Sequence, residues 1–242
     1  MKYLWVMLIG LMLTGCLSSA GLRPENIGKI YMGAAEVGKD NMSVPLLEGP
    51  WQLVSQKKFF NNNRTKFNEA VLVQIKDNTV DKLIYVYASM EHTNWGYWES
   101  AFCNRDDLIH INYVSNYGSG DQDCWGINHW EMFDDGDSSL WDKAYDYIRA
   151  QGHTIPETMI AATYRKADRH KLMQLSYAVN PENRGFDPVP NPEWTTNDWN
   201  VVRIHKDPAK VKFVEEYKKW AQNWNYQVTE GFEGNLEIGQ PY

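Results

Sequence analysis

The chain has 242 residues and a formal net charge of −7, with 43% hydrophobic and 23% charged residues. This composition is typical of a globular protein with one large domain or two small ones, and it excludes a disordered tail. DNA and RNA attract proteins mainly through phosphate neutralisation, so an acidic chain of this kind is expected to have no nucleic-acid partner.

The first sixteen residues, MKYLWVMLIGLMLTGC, have the layout of an export signal. Lys2 precedes an apolar run over residues 3–13, and the run ends in Leu13-Thr14-Gly15-Cys16. A short hydrophobic region followed by small residues is typical of a processed secretory signal. The final pattern of an aliphatic residue, two small residues and a cysteine resembles the lipobox of bacterial lipoproteins. The resemblance covers this segment only.

The resemblance implies a membrane anchor. In this class of lipoproteins the cysteine, here Cys16, receives a diacylglycerol on its sulfur, residues 1–15 are removed, and the new amino terminus is acylated. Several acyl chains hold a protein at a membrane durably, whereas one chain binds only marginally. An aspartate after the cysteine favours inner-membrane retention in Gram-negative bacteria. Leu17 in that place implies the outer membrane, with the domain in the periplasm or at the cell surface.

Three other interpretations of the N-terminal segment remain open. A transmembrane helix is one, although it needs about 20 apolar residues and this run is shorter. An ordinary secretory signal would be cut after Ser18-Ser19-Ala20, where small residues stand at suitable spacing. A buried helix of the core is the third interpretation.

Two further cysteines, Cys103 and Cys124, remain for the exported domain. An even pair of thiols in an oxidising compartment usually forms a disulfide. The closed loop of about 22 residues would contribute roughly 3 kcal/mol through chain entropy. The alternatives are a free nucleophilic cysteine and half of a metal site, but the chain has no CxxC motif. We therefore predict a disulfide, which excludes a cysteine nucleophile.

Residues 17–50 contain scattered Gly, Ser and Pro with little periodicity, which predicts a lipidated N-terminus and tether over residues 16–50. A single globular domain is expected over residues 51–242. Alternating and β-branched residues predict strands and hairpins at residues 71–76, 83–90, 108–114, 158–164, 172–179 and 201–205.

Two segments have helical spacing. Ser139 and Asp142 match a capping box, and the apolar residues that follow predict a helix at about 139–151. Asp207-Pro208 is an N-cap followed by a favourable first helical residue, which predicts a second helix at about 208–225. The order of strands and helices predicts an α+β domain, in which an antiparallel β-sheet built from hairpins packs against two helices.

The stretch between residues 180 and 200 contains four prolines, which exclude a regular helix or a central strand. Loops of this length are uncommon in compact domains and are often functional. Trp194 and Trp199 argue against full disorder. The stretch is therefore either a binding loop or an ordered crossover that covers the sheet.

The sequence contains no P-loop, GxSxG, HExxH or dinucleotide-binding fingerprint, so we predict no cofactor and no metal ion and name no catalytic residue. A zinc or acid–base site would require the fold to bring together histidines and carboxylates that are distant in sequence. These residues are His92, His110, His129, Asp106, Asp107 and Asp121.

Aromatic residues are the more unusual feature, with 11 Trp and 14 Tyr in the chain. Exposed Trp beside polar groups would stack on sugar rings or anchor a protein partner, whereas the simpler interpretation is that these residues fill the core. The clusters around the predicted disulfide are the candidates for ligand binding, and the residues predicted to bind are Trp95, Trp98, Trp125 and His129.

Together these features favour an outer-membrane lipoprotein that acts as a non-enzymatic binding module in the cell envelope, with an envelope protein or a glycan as its partner. The alternative is an envelope hydrolase that acts on glycan or peptide through a His and carboxylate site. A cleft that brings two or more of the histidines and carboxylates within hydrogen-bond distance would favour the enzyme. An exposed aromatic patch would favour binding.

Overall fold

The computed structural model describes residues 21–132, 139–239 and 241. The signal segment 1–15 and the predicted lipidation site Cys16 lie outside the described residues, so both remain predictions. Within the described ranges, no helix is long and apolar enough to cross a membrane.

The described residues form ten β-strands and two α-helices. The strands are β1 (Ile30–Tyr31), β2 (Ala34–Glu36), β3 (Ser43–Pro45), β4 (Trp51–Phe60), β5 (Lys66–Lys76), β6 (Thr79–Ser89), β7 (His110–Asn116), β8 (Gln122–Glu131), β9 (Thr158–Ala167) and β10 (Leu172–Val179). The helices are α1 (Leu140–Ala150) and α2 (Pro208–Glu233).

Eight of these strands form one sheet in the order β1-β4-β5-β6-β10-β9-β8-β7, and β2 pairs separately with β3. All neighbouring strands are antiparallel. The predicted hairpins correspond to β5 with β6 and to β9 with β10. The α+β prediction, with an antiparallel sheet and two helices, is confirmed.

Because neighbouring strands are antiparallel, the turns between them lie at two opposite ends of the sheet. The pairs Phe60↔Lys66, Leu172↔Ala167 and Asn116↔Gln122 place three turns at one end. We call it the aromatic end and define it by residues 61–65, 93–100, 117–121 and 168–171. The opposite end carries the β5–β6 turn and residues 180–207.

Helix α2 covers one face of the sheet and begins and ends at clear signals. The Asp207 side chain accepts hydrogen bonds from the main-chain N–H groups of Ala209 and Lys210, so the predicted N-cap is confirmed. The helix continues well beyond residue 225 and ends at Gly234, which has a φ of +81°. Because a residue in this left-handed region favours glycine, Gly234 is a suitable helix end.

A tether was expected over residues 16–50, but residues 21–50 pack against the same face, which corrects the expectation for these residues. Leu22, Tyr31 and Val44 are buried in the main core, and β1 pairs with β4. The Tyr177 hydroxyl also donates a hydrogen bond of 2.8 Å to the Pro45 carbonyl. The strands in this segment are only two or three residues long, too short for an apolar periodicity to be visible in the sequence.

Helix α1 covers part of the other face. Its predicted capping box is present, because Ser139 Oγ accepts from the N–H groups of Trp141 and Asp142, and Asp142 accepts from the Ser139 N–H. The helix contributes four buried residues to a second core against Val71 and Val73. They are Leu140, Ala144, Tyr145 and Ile148.

The predicted strand at residues 201–205 is wrong, since the chain forms turns there and a 3₁₀ helix at Ile204–Lys206. The Asn200 side chain accepts a hydrogen bond from the Val202 N–H, and its carbonyl accepts from Arg203 and Ile204. These local bonds compete with sheet pairing.

The predicted disulfide between Cys103 and Cys124 is formed, with 5.7 Å between the two Cα atoms. The bond covalently links the segment before β7 to strand β8.

Candidate functional site

A cleft lies beside a free edge of strand β8. Strand β7 pairs with β8 only as far as His110↔Ile127, whereas β9 pairs with β8 as far as Glu131. Beside the unpaired length is a cavity of about 540 Å³, a size within the usual range for small-molecule sites. We call it the edge cleft; residues that line it include Arg105, Asn128, His129, Glu131, Trp141 and Trp194.

His129 is the most deeply buried polar group of the edge cleft. The residue is 0% exposed, and neither of its ring nitrogens has a hydrogen-bond partner among the described residues. Burial lowers the pKa of His129 to about 4, and the nearby main chain of Trp194 opposes this shift only in part. The ring is therefore neutral at pH 7, with one nitrogen as a donor and the other as an acceptor.

Two neighbours of His129 on β8 also have unpaired polar atoms. Asn128 Oδ1 and Glu131 Oε1 are both buried and have no partner within the described part of the chain. Burial raises the pKa of the Glu131 carboxyl, and the charge of Glu193 adds to the shift. An unsatisfied buried polar group costs about 1–3 kcal/mol, so three such residues within four positions of one strand are unusual in a folded protein.

Aromatic rings form much of the wall of the edge cleft. The Tyr85 and Trp141 rings lie 5.4 Å apart between centroids, and Trp130 packs perpendicular to Trp141 at 5.9 Å. On the other side, the Arg105 guanidinium lies 4.9 Å from the Trp194 ring centroid. Asp107 accepts two hydrogen bonds from Arg105, at 2.7 and 2.8 Å, which fixes the guanidinium in place.

The Pro-rich stretch supplies Trp194 as part of an ordered crossover. Trp199 is fully buried against Phe213, and the Asn197 side-chain amide donates a hydrogen bond of 2.9 Å to the Thr158 hydroxyl. These contacts attach the crossover to the sheet and place Trp194 on His129. Of the two interpretations of this stretch, the ordered crossover agrees with the structure, and the crossover also lines a cleft.

The four residues predicted to bind ligand do not form one surface. Trp95 and Trp98 are 82% and 84% exposed at the aromatic end, whereas His129 lines the edge cleft. Trp125 is only 3% exposed and lies in the main core, 4.8 Å from the His110 ring. The alternation of β8 directs Trp125 to the face that α2 covers, so it cannot join Trp95 and Trp98.

The histidines and carboxylates proposed for a zinc or acid–base site are likewise separated. His92 pairs with Asp40, His110 packs on Trp125, and Asp107 pairs with Arg105. Within residues 21–132 and 139–239, no group of three His, Cys, Asp or Glu side chains is placed to hold a metal ion. The structure therefore gives the convergent site no support.

Sequence reasoning missed Asn128, Glu131, Arg105 and Trp141 as residues of one site. One signal was present in the sequence. Neighbouring side chains of a strand point to opposite faces, so the adjacent residues Asn128 and His129 indicate polar groups on both faces of the strand. Strand β7 begins only at His110 and leaves the last residues of β8 unpaired on that edge. This late start, which creates the cleft, has no comparable signal in the sequence. Comparison with protein-family models, curated proteins and solved structures gives no match to this chain.

Proposed function

We propose that the protein is an outer-membrane lipoprotein, anchored through Cys16, that binds a ligand in the cell envelope without transforming it. The lipobox pattern supports the anchor, and Leu17 supports the outer membrane. The disulfide between Cys103 and Cys124 agrees with an oxidising compartment outside the cytoplasm.

The observation that carries the binding function is the set of unpaired polar atoms in the edge cleft. Asn128, His129 and Glu131 together leave at least three buried acceptors and one donor without partners among the described residues. Asn128 points to one face of β8, and His129 and Glu131 point to the other. A ligand in the cleft that supplies matching groups on either face would recover the free energy that these atoms lose on burial.

The chemistry of the edge cleft favours a saccharide. The unpaired atoms need a ligand that both donates and accepts hydrogen bonds, as hydroxyl groups do. The aromatic walls need an apolar ring face, which a sugar also presents. An anionic ligand is disfavoured, because most of the unpaired atoms are acceptors and Arg105 is already paired with Asp107.

Binding is favoured over catalysis by the state of His129. A general base works best when its pKa is near the working pH, and the pKa of His129 is about 4. The ring also packs face to face on Trp194, and neither of its nitrogens has a partner in the described ranges. These features suit a hydrogen-bonding group of a binding site.

Glu131 supports a second candidate, a hydrolase acting on glycan. Burial raises the pKa of its carboxyl and the charge of Glu193 contributes, so the two carboxylates interact. Glycoside hydrolysis commonly uses two carboxylates with separated pKa values. Incubation with peptidoglycan fragments distinguishes the two candidate functions. Cleavage products that a Glu131→Gln variant no longer forms would identify a hydrolase, whereas binding without cleavage would identify a binding module.

The binding proposal is tested with the chain from residue 17 onward, which retains every described element. We expect a neutral saccharide, the tetramer of N-acetylglucosamine, to bind in isothermal titration, and Trp194→Ala to weaken binding by roughly tenfold or more, as loss of an aromatic anchor does. Val202→Ala, an exposed residue away from the cleft, is the matched control. Absence of binding, or equal loss in both variants, would contradict a saccharide site in the edge cleft.

The anchor is tested separately by mass spectrometry of the mature N-terminus. An acylated Cys16 is expected, and the Cys16→Ser variant should no longer acquire lipid. An unmodified N-terminus at Gly21 would refute the lipid anchor and leave the binding proposal untouched.

A further inference from the structure

Two indole rings project into solvent at the aromatic end. Trp95 and Trp98 are 82% and 84% exposed, and both line a small concavity with Asn63 of the β4–β5 turn and Gly118 of the β7–β8 turn. Exposed Trp pairs on a folded domain commonly mark a contact surface.

Hydrogen bonds fix the main chain that carries both rings. The Tyr97 carbonyl accepts hydrogen bonds from the Ser119 N–H at 2.9 Å and from Gln122 Nε2 at 3.1 Å, and the Trp98 carbonyl accepts from the same amide at 2.8 Å. Tyr97 itself is buried between the two tryptophans and packs on Phe67. Exposure of the indoles is therefore a fixed property of the fold.

The same end carries further apolar residues, and its β4–β5 hairpin concentrates positive charge, whereas the neighbouring loops also contain Glu99, Asp121 and Asp168. Phe60 and Tyr117 are also exposed there. The β4–β5 hairpin over residues 57–66 has four basic residues and no acidic one, although the whole chain is acidic. These basic residues are Lys57, Lys58, Arg64 and Lys66.

The first described residue, Gly21, lies at this end of the sheet. The carbonyl of Leu22 accepts a hydrogen bond from Asn68 Nδ2 near the start of β5, and Gly21 borders a pocket that Lys58 and Asn68 also line. Five residue steps separate Gly21 from Cys16, and a chain of that length reaches at most about 18 Å. A lipid on Cys16 therefore keeps this end close to the bilayer.

We propose that the aromatic end lies on the membrane surface, with Trp95 and Trp98 inserted among the lipid headgroups and the β4–β5 hairpin attracted to anionic phospholipid. Trp is enriched at the headgroup level of membranes, and basic residues near the surface bind anionic lipids. The inference rests on the proposed anchor at Cys16. The proposal also implies an orientation of the domain. The edge cleft lies toward the opposite end of β8, so it faces away from the bilayer when the aromatic end lies on the membrane.

The test uses the chain from residue 17 onward, without lipid, and vesicles of phosphatidylethanolamine and phosphatidylglycerol. We expect weak, salt-sensitive binding and quenching of Trp fluorescence by brominated acyl chains. The double variant Trp95→Ser and Trp98→Ser should lose the quenching and bind roughly tenfold or more weakly. Val202→Ser removes an exposed apolar residue at the other end and should change neither measurement.

Two outcomes would overturn the inference: no binding of the unmodified chain to these vesicles, or equal binding and quenching in the double variant. Because the protein tested has no acyl chain, neither outcome depends on the lipid anchor, which the N-terminal mass tests independently. A Lys57→Gln and Lys58→Gln variant should lose binding mainly at low salt, as surface electrostatics require.

Discussion

The imidazole ring of His129 lies against the indole ring of Trp194, with 4.3 Å between their centroids and an angle of 27° between their planes. This contact joins strand β8 to the Pro-rich crossover and closes one side of the edge cleft. It also removes the imidazole from water, which is why the pKa of His129 falls to about 4.

The low pKa of His129 predicts that the protein loses stability in mild acid. His129 binds a proton near pH 6.5 in the unfolded chain and only near pH 4 in the folded chain. Its contribution to the free energy of unfolding is therefore complete above pH 6.5 and is lost as the pH falls towards 4. We expect a loss of about 3 kcal/mol over this range. Urea unfolding of the protein and of His129→Gln between pH 4.5 and 7.5 measures it.

The control for this prediction is His205→Gln, which removes an exposed histidine. It should keep the pH dependence of the unmodified protein, whereas His129→Gln should reduce it and leave the contribution of His110, whose pKa burial also lowers. Equal slopes for all three proteins between pH 4.5 and 6.5 would mean that His129 is not buried in its neutral form.

The fold was largely predictable because its signals are local. The capping box at Ser139 and the N-cap at Asp207 located both helices, and two hairpins followed from alternating residues. The packing of residues 21–50 was missed because strands of two or three residues have no measurable period. The strand expected at 201–205 failed because Asn200 bonds its own turn, a competition that propensity alone does not reveal.

The candidate site was predictable only in part. His129 was among the predicted residues, and Trp194 was expected to dock, but their contact joins positions 65 residues apart in the chain. The position of Trp125 was missed because a tryptophan in a strand has the same local pattern whether it faces the core or solvent. Which face of β8 is covered depends on α2, and no local pattern encodes that contact.

The disulfide is expected to stabilise the aromatic end. Replacing both partners in Cys103→Ala and Cys124→Ala removes a bond across a sequence separation of 21 residues, and the free energy of unfolding should fall by about 3 kcal/mol. Denaturation in urea measures the loss. The unmodified protein under reducing conditions should show the same loss, and a change below about 1 kcal/mol would contradict a structural role for the bond.

Gly96 is required by a close approach of two loops. Its φ is +69°, and a Cβ atom there would lie 2.3 Å from the Ser119 Cα. Gly96→Ala should therefore displace the segment that carries Trp95 and Trp98. Gly33→Ala is the matched control, because Gly33 has a φ of +74° and nothing within 4 Å of a Cβ.

Thermal unfolding of the two glycine variants separates backbone strain from steric overlap. Gly33→Ala should cost only the strain of a left-handed residue, about 1 kcal/mol, and Gly96→Ala clearly more. Gly96→Ala should also weaken vesicle binding. Identical melting temperatures would show that the two loops do not touch at this position.

Asp81 connects β6 to the start of the Pro-rich crossover. It accepts hydrogen bonds from Arg184 and from Asn183, at 3.0 Å in the second case. Burial alone would raise the pKa of Asp81, but these bonds and the charge of Arg184 outweigh it and lower the pKa below its usual value. Asp81 therefore contributes stability above about pH 4, and this contribution is lost as the pH falls through its folded pKa.

Replacing Asp81 by Asn should destabilise the protein at pH 7 by about 2 kcal/mol, since Arg184 then loses its charged partner in a partly buried site. The crossover should also detach more readily, so Trp194 should leave His129 and ligand binding in the edge cleft should weaken. Glu216→Gln is the control, because it breaks an ion pair with Lys212 in which both side chains are more than 60% exposed. Exposed pairs of this kind contribute little, so unfolding of this variant should match the unmodified protein. Equal stability of both variants at pH 7 would contradict the role assigned to Asp81.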